Sequence, residues 1–400
     1  MNEQNVQHNP IRVVRFVARL NVGGPAIHTI LLTKFLSTSR FASTLITGQI
    51  SPTEGDMSYF AEEHGVVPQI IPELGREIQW RRDLIALWKM FRLLRKLRPT
   101  IVHTHTAKAG MLGRLAAKLA GVPCIVHTFH GHVFHSYFSP RKTRIFLEIE
   151  RVLAHWTDAI ITLSPAQRAE ILSYRIGTPD KVQAIGLGLE LQKFVACKKL
   201  RGKIRRELDI ADETPLVGLI ARLVPIKGLH YFLEAAASVL KHIPHAQFVI
   251  AGDGELREEL EQLTRHLNIL NNVHFLGFRR DLPEIYADLD LTVLSSLNEG
   301  LPVALIEAMA SGTPVVSTDV GGVGDLIQPE RSGILVPAKN SEALAAGIGN
   351  ALALSPKKRR EMGLSAQRSV YPKYHIDTLI HNIATLYENI LMTKGASKPF

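Results

Sequence analysis

The chain has 400 residues, 46% hydrophobic and 21% charged, a globular composition long enough for two domains and incompatible with extended disorder. Its net charge of +10 is uneven: residues 1–190 hold 23 Lys/Arg against 14 Asp/Glu, residues 191–400 hold 24 against 23, so an anionic partner is expected to meet the first half. Two cysteines, Cys124 and Cys197, exclude a disulfide framework. No apolar run reaches the ~18 residues of a membrane span, and the polar start MNEQNVQHNP lacks the order of a signal peptide, so a cytoplasmic protein is expected.

In chain order, strands are predicted at Ile11–Val17, Ser43–Gly48, Val66–Ile71, Ile101–His105, Cys124–His130, Ala159–Ser164 and Lys181–Ile185. Helical patterns fill the gaps, among them Pro25–Leu36, Leu84–Leu97, Ala107–Ala120 and Arg141–His155. The alternation restarts near Gly186–Glu190, with strands at Leu216–Ala221, Gln247–Gly252, Val273–Gly277, Leu291–Ser295, Val315–Ser317 and Ile334–Val336. This order implies parallel sheets covered on both faces. The expected fold is α/β, two doubly wound domains at residues 1–188 and 189–374, with a last helix in 375–400 that could cross back to the first. Ligands of such sheets sit beyond the carboxyl ends of the strands, and a cleft between two domains is the expected site.

Several segments carry candidate chemistry. Gly23 and Gly24 follow the first strand and permit close backbone approach to a ligand, or merely serve a turn. His103 and His105 end a strand and read as structural. Val126–His132 offers His127, His130 and His132, but no flanking carboxylate and no HExxH pattern, so a metal is not expected. In LVGLIARLVPIKG a buried strand delivers Arg222 and Lys227 to a helix start, a candidate diphosphate cradle or a common surface pair. AGDGE has two glycines rather than a dinucleotide fingerprint: a nucleoside loop or a plain turn. Asp288 and Asp290 resemble a metal-binding DxD pair but lie at a helix–strand junction and read as structural. In SSLNEGLPVALIEAMASGTPVVSTDVGG, Glu299 and Glu307 would lie about 12 Å apart if the gap were mostly helical. That suits two separate hydroxylated groups of one ligand, or alternatively a helix cap and a solvated Glu. The amides of Gly300, Leu301 and Val303, around Pro302, open a helix and can face anionic oxygens.

Together GG after the first strand, TFHG, ARLVPIKG, AGDGE and the E-x7-E block ending in GTPVVSTDVGG resemble a retaining glycosyltransferase of family 4 with the GT-B architecture. The resemblance covers nearly the whole chain. It implies that Arg222 and Lys227 bind the donor diphosphate, that Glu299 contacts the donor sugar and Glu307 the ribose, and that His130 lies against the transferred sugar. Gly23 and Gly24 match the loop near the phosphates and acceptor. It implies no metal and no cofactor beyond the nucleotide diphosphate sugar, taken as a UDP-sugar, which is a substrate. The acceptor is expected to be a lipid-linked or other saccharide of cell-surface polysaccharide or glycolipid synthesis, and its identity does not carry over, because HGHVFHSYF departs from the family pattern. An epimerase on the same fold and a non-catalytic sugar-nucleotide-binding subunit are the rival readings. Nucleic acid is not an expected partner, since no recognition motif accompanies the charge.

An acidic membrane surface is the remaining expected partner, met by REIQWRRDLIALWKMFRLLRKLR, residues 76–98. As a helix it gathers Leu87, Met90, Phe91, Leu94 and Leu97 on a core face. The opposite face collects Arg81, Arg82, Lys89, Arg92 and Lys96 around Ile85 and Trp88, which suits an interfacial helix. The ordinary alternative is a surface helix whose Ile85 and Trp88 touch a neighbouring loop.

Overall fold

A computed structural model describes residues 9–50, 55–75, 78–131 and 140–395. The chain forms two compact units, one of Met1–Leu189 with Ile376–Phe400, the other of Glu190–His375.

The first unit holds a seven-stranded sheet in the order β3-β2-β1-β4-β5-β6-β7, with β1 Ile11–Val17, β2 Phe41–Thr47, β3 Gln69–Ile70, β4 Ile101–His105, β5 Cys124–Phe129, β6 Ala159–Thr162 and β7 Val182–Ala184. Every pairing is parallel. Alternate residues serve opposite faces. Val13, Ile101 and Val126 pack with Leu31 and with Leu379, Ile383 and Tyr387 of the last helix, Ile376–Thr393. Val14, Phe16, Val102 and Ile125 pack on the other side with Met90, Leu94 and Leu112. The chain leaves this unit at Leu189 and re-enters at Ile376, whose N–H donates to the Leu189 carbonyl at 2.9 Å. The predicted run Val66–Ile71 shortens to the two exposed residues of β3, an edge strand that pairs only with Ile46 and Thr47.

The second unit has six parallel strands in the order β10-β9-β8-β11-β12-β13: β8 Leu216–Ile220, β9 Gln247–Ala251, β10 Val273–Gly277, β11 Leu291–Leu294, β12 Val315–Thr318 and β13 Ile334–Val336. Val217, Leu219, Phe248 and Ile250 bury against Phe232, Leu233 and Ile348. Strand order reverses between β1 and β4 in one sheet and between β8 and β11 in the other. Loops on either side of such a reversal diverge and leave a crevice at the carboxyl ends. The loops after these four strands contain most of the candidate residues.

Candidate functional site

In the second unit, the loops after β8 and β11 are joined to each other. Leu297 N–H donates to the Ile226 carbonyl at 2.8 Å, and Ser295 Oγ to the Lys227 carbonyl at 2.9 Å. Gly228 has φ +60°, and a Cβ there would lie 2.4 Å from the Ser295 carbonyl oxygen, so only glycine permits this contact. The result brings together two residues 72 apart in sequence: Lys227 Nζ donates to Glu299 Oε1 at 2.5 Å, with Glu299 only 9% exposed and Lys227 20%. Ser296 Oγ donates to the same oxygen at 2.6 Å. Glu299 is therefore a held carboxylate, not a helix cap. Arg222, on the same loop, is exposed and has no ion-pair partner among the described residues.

Two glycine pairs set this geometry. Cβ atoms at Gly321 and Gly322 would fall 1.8 and 2.0 Å from the carbonyl oxygens of Glu299 and Gly300, so the VGG turn packs directly on the Glu299 loop. Thr318 Oγ1 adds a bond to the Ser296 carbonyl at 2.7 Å. Likewise a Cβ at Gly252 would lie 1.8 Å from the Ala221 oxygen and one at Gly254 2.6 Å from the Leu223 oxygen. The AGDGE turn thus supports the Arg222 loop, and the plain-turn alternative explains its glycines.

Beyond Gly300 and the buried Leu301, the helix runs Val303–Ala310, with Pro302 as its cap residue rather than inside its first turn. Only about half of the Glu299–Glu307 gap is therefore helical, and the 12 Å estimate does not apply. The first intrahelical bond runs from Ile306 N–H to the Pro302 carbonyl, which leaves the amides of Val303–Leu305 without a helical acceptor. Glu307 is buried at 8% exposure. Burial raises its pKa to about 7, with the Lys193 charge opposing part of the shift. Such a carboxyl costs stability in its ionised form: the penalty grows from the unfolded value of 4.5 and is complete above pH 7. Glu307→Gln is expected to stabilise the fold by about 3 kcal/mol at pH 8 and by less than about 1 at pH 5, measured by denaturant titration.

Asp288 and Asp290 are structural. Asp288 accepts the N–H groups of Gly202, Ile204 and Arg205, and Asp290 pairs with Arg205 at 2.7 Å.

In the first unit, Gly23 caps the helix Gly24–Leu36, with φ +155°. A Cβ there would meet only Pro25 Cδ, at 3.8 Å, so its outer side is open. His130 directly follows β5, and its Nε2 lies 2.9 Å from His105 Nδ1. His127 belongs to the opposite face, against Gly110 and bonded to Thr104 Oγ1 at 2.9 Å; His132 and the rest of HVFHSYF lie outside the described residues. His28 joins the group, which no sequence motif signals. Its ring lies edge-on to His130 at 5.0 Å and to His105 at 5.6 Å. Deeper still, Arg15 is fully buried beside Tyr387, and none of its guanidinium nitrogens has a hydrogen bond of good geometry among the described residues.

Burial, the Arg15 charge and mutual repulsion push His28, His103 and His105 well below the usual histidine range, and burial takes His130 down to about 3. These rings are neutral at working pH. His28, His105 and His130 bring ring nitrogens within 4.8 Å of one another, close enough to hold a metal ion. The chemistry of the set fits poorly: two of the rings are bonded to each other, no carboxylate among the described residues acts on them, and a fixed cation adjoins them.

The helix of the basic segment runs Trp80–Leu97, starting earlier than predicted because Asp83 accepts the Gln79 N–H at 3.0 Å. Met90 and Leu94 are buried, and Leu87, Phe91 and Leu97 pack beside them. Ile85 and Trp88 remain 46% and 55% exposed, and Trp80 and Leu84 join them at 68% and 59%. No neighbouring loop among the described residues covers them. Lys89 is drawn to Glu73 at 2.6 Å and Arg82 to the Pro72 carbonyl at 2.9 Å, which removes both from the expected free basic face. Arg76 lies outside the described residues.

Comparison with known proteins identifies the family and the fold. Residues 22–193 match the model of Glycosyltransferase Family 4, and residues 201–369 that of Glycosyl transferases group 1. The chain is 31% identical to the UDP-Gal:alpha-D-GlcNAc-diphosphoundecaprenol alpha-1,3-galactosyltransferase of Escherichia coli, over 81% of this chain and 84% of that one. It is also 31% identical to a GDP-mannose-dependent alpha-mannosyltransferase of Mycobacterium tuberculosis, over 72% of each. Among solved structures, Alr3699/HepE of Anabaena in complex with UDP-glucose superposes with TM-score 0.81 at 22% identity, over 94% of this chain and 99% of that one. The fold is GT-B, and the chain belongs to glycosyltransferase family 4.

Proposed function

We propose that this glycosyltransferase moves a sugar from a UDP-sugar to a hydroxyl of a lipid-linked saccharide, with retention at the anomeric carbon and without a metal, in the building of a cell-surface glycan. The observation that carries the reading is the Lys227–Glu299–Ser296 constellation at the β8/β11 crevice, beside Arg222 and a helix start. These groups suit a sugar diphosphate: two cations and free amides for the diphosphate oxygens, carboxylates for sugar and ribose hydroxyls. In the transfer, the bond from the anomeric carbon to the β-phosphate oxygen breaks and the acceptor oxygen bonds to that carbon on the same face. The acceptor proton passes to the departing phosphate. Lys227, Arg222 and the amides of Val303–Leu305 would stabilise the charge that develops there. Among the described residues no carboxylate acts on His130, and a front-face route suits the site better than a glycosyl–enzyme intermediate. The UDP preference and the lipid-linked acceptor rest on the names of the Escherichia coli and Anabaena proteins; the mannosyltransferase relative makes GDP-mannose the alternative donor to test.

The same reading places the enzyme on an acidic membrane surface through Trp80–Leu97, where a lipid-linked acceptor would be found. The test is release of nucleoside diphosphate from UDP-galactose, UDP-glucose, UDP-N-acetylglucosamine and GDP-mannose, with and without polyprenyl-diphosphate N-acetylglucosamine, in EDTA and in magnesium. The expected result is acceptor-dependent UDP release that persists in EDTA, with an α-linked product by NMR. Epimerised donor without acceptor, a β-linked product, or activity that requires added metal would overturn the corresponding part. In that last case His28, His105 and His130 would be the first residues to examine.

A further inference from the structure

The histidine cluster of the first unit contains a device that the proposed reaction does not by itself require. His130 and His105 share one hydrogen bond, Nε2 to Nδ1 at 2.9 Å. Both rings are neutral, so each has one N–H and one lone pair. Only two arrangements satisfy the bond. Either both rings carry hydrogen on Nε2 and His130 donates, or both carry it on Nδ1 and His105 donates. The Nε2–H form is the more stable tautomer of a neutral histidine side chain, and the first arrangement gives it to both rings.

We propose that His105 is a positioning residue that holds His130 in its Nε2–H tautomer, leaving His130 Nδ1 as a hydrogen-bond acceptor for a ligand hydroxyl. Nδ1 of His130 is buried and has no partner among the described residues, as this role needs. His105 Nε2 is likewise buried with no partner among the described residues, so His105 is held by packing rather than by a second hydrogen bond. The His103 ring lies over it with centroids 4.2 Å apart, and His103 is held at both nitrogens, by Tyr387 Oη and by Thr128 Oγ1, each at 2.7 Å. Tyr387 comes from the last helix. A line of support therefore runs from that helix through His103 and His105 to His130. The buried Arg15 charge adjoins it and disfavours protonation of these rings. On this account His130 orients a sugar hydroxyl by accepting from it, and is neither a general acid nor a nucleophile. The proposal rests on the reading that His130 meets the transferred sugar.

The experiment combines ring-nitrogen NMR of the full-length protein with kinetics of His105→Leu and His105→Asn. Asn places an acceptor oxygen near the position of Nδ1, whereas Leu removes it. His130 is assigned by the signal missing in His130→Ala. In the wild type, His130 is expected to show a protonated Nε2 and a bare Nδ1. His105→Leu should lose that preference and lower kcat on the order of 10-fold with little change in donor KM, and His105→Asn should recover most of both. A protonated Nδ1 in the wild type would overturn the proposal. So would His105→Asn behaving like His105→Leu, or a loss confined to KM. If His105→Leu does not fold, the wild-type spectrum and His105→Asn still decide. Unchanged turnover in His130→Ala would overturn the role of His130 itself, separately from the tautomer.

Discussion

Lys227→Ala is expected to lower turnover by roughly 10²–10³-fold and to weaken UDP binding. On the proposed function the lysine serves two anions. In the free protein its ammonium neutralises Glu299, a nearly buried carboxylate that has one other side-chain hydrogen-bond donor among the described residues, Ser296 Oγ. On the proposed function, the same ammonium would be the cation for the diphosphate when donor is present. Its removal therefore takes away a charge-assisted partner of the leaving group and strands Glu299, at a further stability cost of about 1–3 kcal/mol. Glu299→Gln separates the two effects. The amide oxygen can still accept from Ser296, but it no longer competes with the diphosphate for Lys227. This variant is expected to bind UDP more tightly than the wild type while turning over more slowly. Arg222→Ala should weaken UDP with no loss of stability, since Arg222 neutralises no buried group. Calorimetric titration of UDP into each variant is the check. Unchanged affinity in Lys227→Ala, or weaker affinity in Glu299→Gln, would remove the diphosphate role.

These contacts also mark how far the sequence could be read. Strand ends were legible because apolar runs of buried parallel strands stop abruptly: β1, β4, β10 and β13 have the bounds read from the runs. Arg222, Lys227 and Glu299 were legible as polar residues just past such ends. The Lys227–Glu299 contact was not, because the β8 and β11 loops are far apart in sequence and meet only through a strand-order reversal. The glycines of VGG and AGDGE were visible, but what they approach, the carbonyls of Glu299, Gly300, Ala221 and Leu223, is a property of packing. Arg15 was hidden for another reason. A cation inside a strand ordinarily signals an exposed face, and here it sits under the last helix against Tyr387. His105 read as structural because only the fold brings the end of β4 beside the residue after β5.

Trp80→Ala, Trp88→Ala and Arg92→Glu together are expected to reduce partitioning onto vesicles rich in anionic lipid by roughly 100-fold or more. Ile78, Trp80, Leu84, Ile85 and Trp88 are all between 46% and 68% exposed, a cluster of large apolar side chains that a fully solvated helix would not need. The opposite side, with Ala86, Met90 and Leu94, already packs in the core, so the helix has no further apolar face of its own to bury. Arg81 lies over Trp80 and Arg92 over Trp88, each 4.9 Å from the ring; cations stacked on indoles suit the headgroup layer, where rings and phosphates meet. Each cation near an anionic leaflet contributes about 1 kcal/mol, so the Arg92 charge reversal costs about 2. Burying even part of each indole is worth on the order of 1 kcal/mol. The sum exceeds the 1.4 kcal/mol of a tenfold change and reaches about twice that or more. The core face is untouched, so the melting temperature should not move. Binding should weaken as salt rises, because these charges are exposed. Co-sedimentation with phosphatidylcholine and with phosphatidylglycerol vesicles provides the measurement. Equal recovery on both, no change in the triple variant, or self-association of the protein through this face without lipid would overturn the membrane assignment.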